Sequence, residues 1–171
     1  MKKYYLFLIF IFIGGCSVHQ TEHNHSQYAG QEKREIKALS DEEKQNYLEG
    51  NGMGFAKAAE LNGFPGPKHI LENEADLDLS SEQKKAVEKS FQTMKTKAVD
   101  LGELIVKKEK ELDQIFENGN INDELLKEKT REIAELQGDL RNTHLLAHLE
   151  MKKLLSTEQV TKYKKIRGYT N

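Results

Sequence analysis

The residues best suited to chemistry lie in the stretch HLLAHLEM, His144 to Met151. It holds two of the six histidines and one of the four methionines. On a helix His144, His148 and Met151 are spaced i, i+4 and i+7, so all three point to one side. Two imidazoles one turn apart can ligate one cation, and a thioether adds a softness that suits copper, nickel or cobalt better than magnesium. The competing expectation is packing. His144 and Met151 share a four–three ladder with Leu140, Ala147 and Leu154, and a methionine or edge histidine on such a stripe ordinarily belongs to a core. Donors from one helix rarely complete a tight site. His69 and Glu72, three residues apart, are candidates to complete it, or a dimer mate could do so, with zinc, nickel, cobalt and copper as the divalent ions to expect.

Long helices must position these groups. From Val87, apolar residues recur at 87, 91, 94, 98, 101, 105, 112 and 115, with Lys108 in the one gap. That heptad stripe predicts a helix over Ser81 to Asn118. The segment ENGNIND turns the chain: Gly119 ends the first helix and Asn122 caps the next. A second long helix is predicted over Asp123 to Leu154, carrying Leu126, Ile133, Leu136, Leu140, Ala147 and Leu154. A short connection between long helices makes them antiparallel neighbours, so the expected fold is all-α, a long helical hairpin with short flanking helices.

A pentapeptide repeats at the ends of this pair: LSSEQ at 79–83 returns as LSTEQ at 155–159. Behind Leu79 and Leu155, Ser80 and Ser156 are N-caps, and Gln83 and Gln159 hold the N3 position of a capping box. Leu155 can also staple onto Val160. Folding the hairpin about residues 119–120 brings the two motifs opposite each other at its open end. The same register sets Phe91 across from His148 and Met94 across from Leu145.

Shorter elements precede the pair. Ser40 and Glu43 form a capping box for a helix running toward Leu48. The glycines of EGNGMGF imitate a phosphate loop only superficially, since no strand precedes them and no Lys-Ser/Thr follows. A short helix is expected over Phe55 to Leu61; NGFPGP stops it, and Pro67 opens another, to about Ala75.

The chain opens MKKYYLFLIFIFIGGCS, with a basic start, a short apolar run and small residues before a cysteine. This reads as a secretory signal over residues 1–15. The ending IGGC looks like a bacterial lipobox, and Cys16, the only cysteine, is the expected site of lipidation. Ser17 after it resembles sorting to the outer membrane, on the periplasmic side of the envelope. Residues 16–38 read as lipid anchor and flexible tether, with His19, His23 and His25 as a loose metal collector or a plain polar spacer. Residues 39–171 are the expected helical domain. Loss of Lys2 and Lys3 takes the formal charge from −2 to −4, which gives no reason to expect nucleic acid as a partner. No catalytic pattern of Ser, His and acid emerges, and a lipidated Cys16 is no nucleophile, so an enzyme is not expected.

A long helical hairpin flanked by LTxxQ-type motifs behind a secretion signal resembles the CpxP/Spy family of periplasmic stress proteins and its heavy-metal-resistance branch, of the ZraP and CnrX type. The stretches GMGFAKAAELNGFPGPKHILE and HLLAHLEMKKLLSTEQVTKYKKIRGY look closest to its periplasmic heavy-metal sensors, and the likeness covers about Leu39 to Tyr169. The resemblance implies a hooked hairpin that dimerises. It implies a heavy-metal sensor or buffer serving a membrane-bound regulator or, alternatively, an ATP-independent chaperone holding unfolded clients. CnrX-type sensors use a His pair on an early helix, a Glu and a later His-x3-Met. This chain offers instead His69 with Glu72, and His144-x3-His148 with Met151 three residues further on.

Overall fold

A computed structural model describes residues 26–169 of the chain. The expected signal segment, Cys16 and the tether histidines His19, His23 and His25 lie outside the described residues. Among the described residues there are six helices and no strand: α1 Asp41–Leu48, α2 Lys57–Leu61, α3 Pro67–Glu72, α4 Ser81–Glu117, α5 Asp123–Leu154 and α6 Thr157–Ile166. None of them is long and apolar enough to cross a membrane.

Local chemistry sets the helix ends. Ser40, Ser80 and Ser156 each accept a hydrogen bond from the N3 backbone amide, and the N3 side chains of Glu43, Gln83 and Gln159 in turn accept one from the cap backbone amide. Asn122 caps α5 through Leu125. Gly63 stops α2 in the left-handed region at φ +78°, where its amide and that of Phe64 satisfy the carbonyls of Glu60 and Ala59.

The 37-residue α4 extends over about 55 Å and packs along α5. Gln83 donates to the carbonyl of Leu154 at 3.1 Å, Ser90 to Glu150 at 2.5 Å, and Lys108 pairs with Glu132 at 2.8 Å. Partner numbers fall on α5 as they rise on α4, so the two helices run in opposite directions. Lys108, the polar residue in the apolar stripe, thus lies across the helix pair and is also 3.2 Å from Glu111.

The core has two clusters. One joins Ile70, Leu77, Val87, Met151, Leu155, Val160 and Tyr163 where α3 and α6 meet the ends of α4 and α5. It includes the Leu155–Val160 staple. The other joins Tyr47 of α1 to Ala98, Leu101, Ile105 and Leu140 further along the pair. Helix α1 approaches α4 backbone to backbone at Gly102, where an added Cβ would stand 2.0 Å from the Tyr47 carbonyl oxygen.

One compact unit begins at Gln31. Ile36 is buried at 3% exposure. Glu35 pairs with Lys44 at 2.5 Å and Lys110 at 2.7 Å, and Lys37 pairs with Asp113 at 2.9 Å. The end of the stretch that reads as tether is therefore fastened by two ion pairs to α4 and one to α1, beside the buried Ile36.

Candidate functional site

Between the two core clusters the helix pair is not filled. Val87 and Met151 belong to one cluster, Ala98 and Leu140 to the other. The residues between them, Phe91 and Met94 on α4 and His144 and His148 on α5, line a cavity of about 500 Å³. The glycine-rich loop 50–54 and the starts of α2 and α3 complete its wall, bringing in Met53, Glu60 and His69. Met53 sits at φ +40°, a left-handed conformation costly for a residue with a Cβ.

His144 is buried at 4% exposure. Its ring stacks on Phe55, with centroids 6.1 Å apart and planes 28° apart, and its Nε2 is buried with no hydrogen-bond partner. Burial, with lesser contributions from His148 and Lys95, pushes its pKa down, which favours the neutral imidazole. Such an atom at a cavity wall is an available donor to a ligand.

His148 is held differently. Its Nδ1 lies 2.7 Å from the carbonyl oxygen of Phe64. A carbonyl only accepts, so Nδ1 carries the proton and Nε2 is the nitrogen left for a ligand. This is the carbonyl-oriented tautomer typical of histidines that ligate through the other nitrogen. Gly66 permits the close approach of the chain here: a Cβ on it would meet Cε1 and Nε2 of His148 at 2.9 Å.

Glu60 was not singled out by its position in the sequence, yet it joins three elements. Its Oε1 accepts from the hydroxyls of Tyr163 at 2.5 Å and Tyr169 at 3.1 Å, and lies 3.5 Å from Nε of Arg167. Its Oε2 is buried without a hydrogen bond, 3.7 Å from Nδ1 of His148. Burial, followed by the contact with Glu60, drives the Tyr163 phenol far above its ordinary pKa.

The expected site residues are therefore brought together in part. His144, His148 and His69 line one cavity. His69 is already bonded through Nδ1 to Glu72 at 2.7 Å, and this contact holds the Glu72 carboxyl below the usual range. Met151 does not face the cavity; it is fully buried in the apolar cluster with Ile70 and Tyr163. Seven residues of helix carry it about 10 Å along the axis from His144, out of the cavity and into the core. Among the described residues no group of three or more His, Cys, Asp or Glu is arranged to hold a metal ion. A third donor must come from another residue type or from movement.

The paired motifs meet as their register predicts. Gln83 and Gln159 exchange hydrogen bonds of 2.9 and 3.0 Å, and Gln159 also reaches the carbonyl of Leu77 at 3.2 Å. They form a structural clasp at the end of the helix pair, beside the Val87–Leu155 cluster rather than at the cavity. Comparison of the chain with protein-family models finds no match, and comparisons with curated proteins and with solved structures find none either.

Proposed function

We propose that this protein is an envelope lipoprotein of the CpxP/Spy type, anchored through Cys16, that binds a transition-metal ion through His144 and His148. On this reading it acts as a heavy-metal sensor or buffer, as a hooked-hairpin dimer on the periplasmic side, with a membrane-bound regulator as its partner in the sensor case. It is a binding protein and not an enzyme.

The observation that carries the reading is the unpaired, buried Nε2 of His144 at the wall of the cavity that His148 also lines. A buried polar atom without a partner costs stability, and a bound ion would recover it. The Nδ1–H of His148 donates to Phe64, which leaves the second imidazole in the ligating tautomer. Phe64 lies in the loop between α2 and α3, so an ion on His148 would act on the docking of those short helices.

Calorimetric titration with nickel, cobalt, zinc and copper, the last as copper(II) and, under nitrogen, as copper(I), tests the reading. The protein should carry His19→Ala, His23→Ala and His25→Ala, so that the tether contributes nothing. Micromolar or tighter binding that disappears on adding His144→Ala and His148→Ala is the expected result. Binding that survives those two substitutions, or no binding at all, would sink it.

One observation favours the chaperone alternative. Leu61, Leu146 and Leu149 stand exposed at 55%, 51% and 43%, and exposed apolar side chains are what a holdase offers to clients. Suppression of client aggregation in the absence of metal, lost on changing these leucines to serine, would favour it.

A further inference from the structure

We infer that the ion this cavity selects is soft and monovalent, copper(I), held by the thioethers of Met53 and Met94 together with Nε2 of His144 and of His148. This rests on the metal-binding reading and deepens it.

The donor set is the first argument. Met53 comes from the glycine-rich loop and Met94 from α4, and both line the cavity that holds the two imidazoles. Two thioethers in one site favour copper(I) over the harder divalent ions nickel(II) and cobalt(II). All four donors are neutral, and copper(I) tolerates a neutral shell, whereas structural divalent sites commonly include thiolate or carboxylate.

Charge is the second. Lys57, Lys68 and Lys95 line the same cavity, against a single carboxylate, Glu60. A net positive wall repels a divalent ion twice as strongly as a monovalent one at the same place. Glu60 offsets only one of the three lysines, so the wall stays net positive. Its Oε1 is taken by Tyr163 and Tyr169, and its Oε2, which has no hydrogen bond, lies 3.7 Å from Nδ1 of His148.

The third argument is the strain at Met53. Its φ of +40° is a conformation that asparagine or glycine would adopt at less cost. The loop holds a large thioether there against Gly52 and Gly54, neighbours suited to such a turn. The Met53 side chain both packs against the Tyr47–Leu140 cluster and lines the cavity.

The test uses the full lipidated chain in detergent, with His19, His23 and His25 replaced by alanine. Copper(I) is supplied as its acetonitrile complex under nitrogen, in competition with the chelator bicinchoninate. The parent should take one copper(I) per chain, and Met53→Leu with Met94→Leu should weaken that binding by about 100-fold. Leucine conserves the volume of methionine, so folding should survive. X-ray absorption at the copper edge of the loaded parent should show sulfur neighbours. A spectrum with only nitrogen or oxygen neighbours would overturn the proposal, whether or not the leucine variant folds, and so would unchanged affinity in that variant. Nickel or zinc binding that depends on His144 and His148, without copper(I) binding, would overturn this inference and leave the metal reading standing. Absence of all metal binding would overturn both.

Discussion

The Glu60 carboxylate of α2 and the Tyr163 hydroxyl of α6 are hydrogen-bonded at 2.5 Å although 103 residues separate them in the chain. Tyr163 is fully buried, so the contact fixes the short α2 against the last helix from within. The other oxygen of the same carboxylate faces His148 on α5. Glu60 therefore ties a cavity histidine to the C-terminal helix.

Replacing Tyr163 by phenylalanine keeps the ring in the core and removes only the hydroxyl. Glu60 is left buried with Tyr169 as its remaining hydroxyl donor, and the loss expected in urea unfolding is about 1–3 kcal/mol. Tyr169→Phe, at a longer and less buried contact, should cost less. Equal losses from the two would show that the buried bond has no special weight.

The reciprocal pair Gln83–Gln159 gives a second expectation. Each carboxamide caps its own helix and also bonds the other across 76 residues of sequence. Alanine at either position should cost about 1–2 kcal/mol, through the cap and the cross-contact together. The double substitution should cost less than the sum by about 0.5–1.5 kcal/mol. Strict additivity in a denaturant double-mutant cycle would mean that the two caps act independently.

That clasp was legible in the sequence because every step toward it is local. A serine followed three residues later by glutamine fixes a helix start, a short turn fixes antiparallel register, and the two motifs must then meet. The bounds of α5, Asp123–Leu154, follow from Asn122 at one end and LSTEQ at the other in the same way. The cavity was legible only in part. Periodicity puts His144 and Met151 on one face of α5, but a face crosses several environments along its length, and Met151 falls in the core. Glu60 left no signal, because α2 has only five residues and too little periodicity to show an inward face. Ile36 was hidden for a related reason: one apolar residue among polar ones reads as spacer until Lys110 and Asp113 of a distant helix supply the ion pairs.

Those ion pairs predict an acid-sensitive attachment. Glu35, hydrogen-bonded first by Lys110 and then by Lys44, has its pKa lowered from 4.5 to about 2. A carboxyl depressed in the folded state contributes stability above its unfolded value and loses it as pH falls through the folded one. The attachment of residues 31–39 should therefore loosen between about pH 4.5 and 2. Because Glu35 is on the surface, salt should weaken the effect. Amide hydrogen exchange at Ile36 measures it. Protection in Glu35→Gln should be low already at pH 5 and change little on acidification, and a parent-like pH profile in that variant would assign the sensitivity elsewhere.

Two glycines of the long helices should answer the same substitution with opposite signs. At Gly102 an added Cβ would stand 2.0 Å from the Tyr47 carbonyl oxygen, a backbone atom that cannot swing aside. Gly102→Ala must push α1 off α4, and the loss expected in thermal or urea unfolding is about 1–3 kcal/mol. Gly138 lies in the middle of α5 with nothing within 4 Å of an added Cβ. There alanine relieves the entropic cost of a helical glycine and should stabilise by about 0.5–1 kcal/mol. Helix propensity alone would make both substitutions stabilising, so a stabilised Gly102→Ala would show that α1 does not sit against α4 backbone to backbone. A destabilised Gly138→Ala would show instead that this face of α5 is covered in solution, as a helix-to-helix contact between two copies of the chain would cover it.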